Sequence, residues 1–112
     1  MLETTSSARI VITTVVGTDE AERMGRTLVE ERLVACATII PAIHSIYRWQ
    51  GQIESSAETL LFLKTESDRL AALEARLHEL HSYETPEFLV LSVESGSHSY
   101  LAWLQACLRE GS

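Results

Sequence analysis

The 112-residue chain is poor in cysteine, proline, glycine and positive charge, and each shortage removes a class of protein. Its two cysteines, Cys36 and Cys107, lie far apart and form neither a CxxC pair nor a zinc-type spacing. The simpler reading is a reducing compartment with two free thiols. Two prolines and five glycines leave no room for low-complexity or collagen-like sequence, and no repeat or linker is visible. Nine Lys and Arg face sixteen Asp and Glu, a net charge of −7. Such a surface repels phosphates, which disfavours nucleic acid and weakens docking on anionic lipid. No apolar run reaches the roughly 18 residues of a membrane span. The opening "MLETTSSARIVITTVV" has no basic segment and no small-residue cleavage site, so it does not read as a signal peptide. Residues 1–8 are expected to be a disordered tail, 9–112 one domain, and the cytoplasm the default compartment.

What is present is regular patterning. "ARIVITTVVG" is rich in Ile and Val without helical period, as a strand buried on both faces would be. "TDEAERMGRTLVEERL" predicts a helix, with Asp19 and Glu22 placed for a capping box and Ala21, Met24 and Leu28 at helical spacing. Gly25 inside it costs about 1 kcal/mol relative to Ala, which predicts a close neighbour. "LVACATIIPAIHSIYRW" is β-branched and aromatic. Pro41 in its middle predicts an edge strand or a bulge. "WQGQ" predicts a tight turn with Gly51 at positive φ, and "QIESSAETLLFLKT" a returning strand. In "ESDRLAALEARLHEL", Leu70, Leu73, Leu77 and Leu80 mark one helix face. "FLVLSV" predicts a last strand. "SGSHSYLAWLQACLRE" predicts a serine-capped closing helix with Leu101, Leu104 and Leu108 as its apolar stripe.

The order β-α-β-β-α-β-α, with right-handed crossovers, predicts an α+β fold: a ferredoxin-like βαββαβ sandwich with an extra C-terminal helix and a long central β-hairpin. The outer strands of about seven or eight residues span near 25 Å, whereas hairpin arms of about 14 residues reach nearer 45 Å. The tip must therefore project by roughly 20 Å. It carries Ile43, Ile46, Tyr47, Trp49 and Ile53. A lone two-stranded ribbon is marginal in water and an apolar one aggregates. An obligate homo-oligomer closed by the hairpins, with Tyr47, Trp49 and Ile53 in the interface, resolves the conflict.

The segments "LVEERLVACATIIP", "SIYRWQGQIE", "ETLLFLKT", "LHSYETPE" and "SYLAWL", in this order and spacing, resemble the CutA family of divalent-cation tolerance proteins from about residue 9 to 108. The resemblance implies a homotrimer similar in architecture to the PII signalling proteins, associated with copper and other divalent cations and with no established reaction. It departs at Ser82, where the family usually has proline in "HPYE", and at Ser92-Val93, near which a proline often ends the last strand. The loss at 82 predicts a less rigid segment.

The residues that carry chemistry each have a plainer alternative. Cys36 is a soft ligand suited to copper, and the resemblance marks it as metal-associated; it is equally a small buried strand residue. His44 shares its parity with Cys36 but lies too far along a strand to share an ion, and reads as an interface residue. "LHSYETPE" packs His81, Tyr83 and Glu84 into a helix-to-strand turn that needs none of them. His81 and Glu84 are candidate metal ligands and Tyr83 the lid of an inter-subunit cleft; the alternative is a polar corner locked against a neighbour's hairpin. Glu58 and Lys64, with Glu54, stand on one strand face. The resemblance places such charges in the cleft, and the alternative is an ordinary solvated ion pair. Tyr47, Trp49 and Trp103 read as packing anchors, His78 and His98 as exposed helix residues.

Three functions compete. The first is a non-catalytic homotrimer that binds divalent cations, copper foremost, and serves metal tolerance. The second is a PII-like trimeric signalling protein or small-molecule sensor. An enzyme is the third. The acidic first loop "GTDEA" lacks the arginine an acylphosphatase needs, and the loop "VVGTDEA" lacks the CxxC of a metallochaperone. No nucleophile and base pair up in the sequence, and an RRM-like sheet would need basic charge and strand aromatics.

Overall fold

A computed structural model describes residues 1–4 and 7–109. Its elements are β1 (Leu2–Glu3), β2 (Ala8–Val15), α1 (Thr18–Glu30), β3 (Cys36–Trp49), β4 (Gln52–Glu66), a 3₁₀ turn (Ser67–Arg69), α2 (Leu70–Leu80), β5 (Leu89–Ser92), β6 (Gly96–Ser97) and α3 (His98–Cys107). Strands β3-β4-β2-β5 form one antiparallel sheet, the ferredoxin-like order. Two βαβ units produce it, because each right-handed crossover must leave room for one strand between its pair.

Strand parity sorts the side chains. Val11, Val15, Leu61 and Leu63 point to one face, where Met24 and Leu28 of α1 and Leu73 and Leu77 of α2 close over them; all are essentially inaccessible. The expected leucine stripe of α2 is thus the buried one, with Leu70 and Leu80 at its margins. A second small core joins Leu101, Leu104 and Leu108 of α3 to Ala8 and Ala35. Ser97 caps α3 by accepting from the Tyr100 N–H. The carbonyls at its other end are bonded by Arg32 and Arg69, cations where the helix dipole favours them.

Several details depart from expectation. Residues 1–8 are not simply a tail: Leu2 and Glu3 pair with Ser97 and Gly96, His98 donates its N–H to the Met1 carbonyl, and the Ser7 hydroxyl donates to Glu66. Two backbone pairs need a partner strand remote in sequence, which no local pattern announces. Thr5, Ser6 and the expected helix residue Glu110 lie outside the described residues. The capping box of α1 is absent. Its N-cap is Gly17, without a side-chain bond, so Asp19 and Glu20 fall in the first turn and Glu20 is free for another use.

The hairpin is as long as the sequence implies. Val15 pairs with Thr59 at the end of β2, and from Ile43–Glu58 out to Trp49–Gln52 the two arms continue with no third strand. Near Pro41 the register slips between Ile40 and Ile43, with Ala42 at φ 62°, on the edge strand of the sheet. Gln50 and Gly51, at φ 51° and 80°, make the two-residue turn. The molecule measures 47 × 26 × 23 Å with a radius of gyration of 15.0 Å. A compact chain of this length would have a radius of gyration of about 13 Å.

Candidate functional site

The turn after α2 folds back on the place where the hairpin leaves the sheet. His81 ends α2 with its N–H on the Leu77 carbonyl, and the ring is driven inward. Its Nδ1 accepts from the Tyr83 N–H at 3.0 Å, so that nitrogen carries no proton. Nε2 lies 2.8 Å from the Thr14 carbonyl, which can only accept, so Nε2 donates. Both ring nitrogens are thus engaged, Nδ1 within the turn and Nε2 on β2, and a Glu20 carboxylate oxygen lies 3.8 Å from Nδ1.

The next residue contributes a second tie. Ser82 donates from its backbone N–H at 3.1 Å and its hydroxyl at 2.8 Å to the Glu20 carboxylate, which is buried in the first turn of α1. Proline at 82 would offer neither donor. The departure expected to loosen the segment instead anchors it, and Glu20 is a site residue that sequence reasoning missed. Its signal was weak: one acidic residue of several in a helix start.

Tyr83 then stacks obliquely on His81, with ring centroids 4.7 Å apart, and sends its hydroxyl to Glu58 at 2.7 Å. Burial pushes the phenol far above its ordinary value of 10.0, and the hydrogen bond and charge of Glu58 push it the same way. Glu58 itself is only 8 % exposed. Glu87, missed by sequence reasoning, has its carboxyl raised above the usual 4.5, first by burial and then by the charge of Glu58. These residues border a cleft of about 620 Å³ at the base of the hairpin, with Ile46, Tyr47 and Trp49 on its other wall and Glu84 at its rim. Among the described lining residues three are carboxylates and none is cationic.

The other expected members lie elsewhere. Cys36, Lys64, Ile10 and Leu91 form one cross-strand row, while Thr14 lies four residues further along β2, about 13 Å away. Lys64 reaches the ring of Tyr100 at 5.6 Å, not Glu58 or Tyr83. Cys36 is half-buried with Thr38 Oγ1 3.7 Å from its sulfur. Within one chain the structure brings together Glu58, Tyr83 and Glu84 but separates them from Cys36 and Lys64. Among the described residues, no three His, Cys, Asp or Glu side chains gather as a metal site.

Tyr47, Trp49 and Ile53 stand out on the hairpin at 43, 50 and 67 % exposure. The sheet face opposite α1 and α2 is also open over most of its length. Ile40, Leu89 and Leu91 are exposed there, and Ile10, Ile12, Leu60 and Phe62 are only half-buried. No helix among the described residues is long and apolar enough to cross a membrane.

A ferredoxin-like sandwich with an overlong hairpin, and an acidic cleft where that hairpin departs, define the class to which the chain conforms. It belongs to the CutA1 family, divalent ion tolerance proteins, whose family model matches residues 9–107. It is 42 % identical over 89 residues to the divalent-cation tolerance protein CutA of Pectobacterium atrosepticum, covering 80 % of this chain and 81 % of that one. The protein of the same name from Thermus thermophilus is 41 % identical over 96 residues, covering 86 and 93 %. Among solved structures, CutA from Synechococcus elongatus PCC7942 superposes with a TM-score of 0.94 at 38 % identity, covering 97 % of this chain and 96 % of the other.

Proposed function

We propose that the protein is a non-catalytic homotrimer that binds divalent cations, copper foremost, in metal-ion tolerance, and that it resides in the cytoplasm, the compartment its two free thiols suit. The observation that carries the cation reading is the cleft. It holds three carboxylates and no cationic side chain among its described lining residues, so its field attracts positive charge and repels anions. Assembly rests on the hairpin beyond Val15 and on the open apolar sheet face, two surfaces that a lone chain leaves in water. Both ring nitrogens of His81 are engaged within the chain, so an ion that it ligates must displace one of those bonds, and because one chain separates Cys36 from Glu84, a shared ion needs ligands from neighbouring copies. Cys36 is the softest donor and the natural partner for copper. The volume of the cleft supports a second reading, a PII-like sensor of small molecules.

Sedimentation at micromolar concentration tests the assembly; a folded monomer sinks it. Copper and zinc titrations of the native protein, Cys36→Ser and His81→Ala test the ions. Stoichiometric copper binding that weakens at least about tenfold in Cys36→Ser supports the cation reading, and equally weak binding in all three proteins refutes it.

A further inference from the structure

We propose that the hairpin tip of one copy docks on the outer face of α3 of the next, with Tyr47 and Trp49 against Tyr100 and Trp103 and with Glu54 paired to Lys64. The proposal rests on reading the protein as a homotrimer and names two surfaces that meet in it. The starting point is α3. Leu101, Leu104 and Leu108 point into the small core, yet the stripe beside them is apolar too. Tyr100 and Trp103 stand one turn apart on it, with ring centroids 5.3 Å from each other, and both are exposed. Neighbouring exposed tyrosine and tryptophan rings are the composition of an interface rather than of a free surface. Lys64 borders them. It is half-buried, its Nζ lies 3.4 Å from the Tyr100 hydroxyl, and it has no carboxylate partner among the described residues.

The hairpin tip is the complement. Tyr47 and Trp49 share one face of β3, and Glu54 stands across from Tyr47 on that same face. Glu54 is exposed and has no cationic partner among the described residues. One end of the molecule thus offers two aromatic rings with an acid, and the other end two aromatic rings with a base. A single chain cannot join them, because Glu54 and Lys64 both lie on β4, about 33 Å apart along it. The contact is therefore between copies. It joins two different patches, so it is head-to-tail, the kind of contact that closes into a ring. Burying the rings removes apolar surface that a lone chain leaves in water, and the ion pair fixes the register. A second copy is favoured over an unrelated partner because the same chain carries both complementary surfaces in equal number.

Sedimentation equilibrium of the native protein, Glu54→Lys, Lys64→Glu and the double variant carrying both changes tests this. Each single reversal sets like charges together and is expected to raise the concentration of half-dissociation at least about tenfold. The double variant restores the pair with its signs exchanged and is expected to recover most of that loss, which two sites so far apart in one chain would not do. Carbodiimide cross-linking of the native protein needs no folded variant: mass spectrometry should find Lys64 of one chain joined to Glu54 of another. Single variants that assemble like the native protein, a double variant that recovers nothing, or Lys64 joined to a different carboxylate overturn the proposal. A native trimer with any of these results sinks only this inference, whereas a native protein that sediments as a folded monomer sinks the homotrimer reading with it.

Discussion

At the scale of single residues, the turn after α2 is held by complementary donors and acceptors, and each predicts a loss. Replacing Tyr83 with Phe removes the hydroxyl that donates to Glu58 and leaves a mostly buried carboxylate without its donor. The expected cost is about 1–3 kcal/mol, read from urea unfolding at fixed protein concentration. Ser82→Ala is expected to cost about 1 kcal/mol by the same measurement, because Glu20 keeps the backbone N–H but loses the hydroxyl. Two carboxylates set opposing pH dependences. Burial raises the Glu66 carboxyl, but hydrogen bonds from Ser7, Arg109 and Gln105 outweigh it and leave the group below 4.5. Its stabilisation is present above that value and is lost as pH falls through the depressed one. Glu87 is raised, so the folded state is favoured while it is protonated and loses that advantage as pH climbs through its elevated value. Thermal midpoints against pH should therefore show a shallower acid limb in Glu66→Gln, and a small gain near neutrality in Glu87→Gln. His81, Tyr83 and Glu84 were legible as too much chemistry for a turn, and Glu58 as a charge on a strand face that the resemblance placed in the cleft. Glu20 and Glu87 were not, since a carboxylate's partner from a distant element leaves no local trace.

At the scale of elements, Gly25 shows why a poor helix former persists inside α1. A Cβ built there would lie 2.9 Å from the Ala37 Cβ on β3, closer than carbon atoms pack. Gly25→Ala would gain about 1 kcal/mol of helix propensity, but lifting α1 from the sheet costs typically 1–3 kcal/mol. A net loss of stability is expected, largely restored by Ala37→Gly in the double variant, as unfolding of all three proteins would show. The close neighbour was readable from the misplaced glycine, though its identity was not. Helix and strand periods, the Pro41 irregularity and the Gly51 turn were all visible because each is encoded within a few residues. The capping box of α1 failed because Gly17 starts the helix earlier and Glu20 is drawn to Ser82.

At the scale of the whole molecule, the decisive feature is surface that one chain cannot bury. Phe62, half-buried in the open sheet face between Thr38 and Ile12, reports on it. Phe62→Lys places a charge there and is expected to shift sedimentation from the proposed trimer toward monomer, with the helix-side core of Leu61 and Leu63 intact by circular dichroism. A trimer unaffected by that change would mean that this face is not the contact. Hairpin length was legible by counting residues, so the projecting ribbon followed from the sequence alone. By itself the sequence determined the seven main elements, their order and the ferredoxin-like class, because periodicity, turn residues and crossover handedness are local or chiral rules. Only the tertiary structure decided which side chains share a site. It parted Cys36 and Lys64 from Glu58 and Tyr83, joined Ser82 to Glu20 and tied Leu2 to Ser97, because proximity between distant segments depends on register and packing, which no short stretch of chain contains.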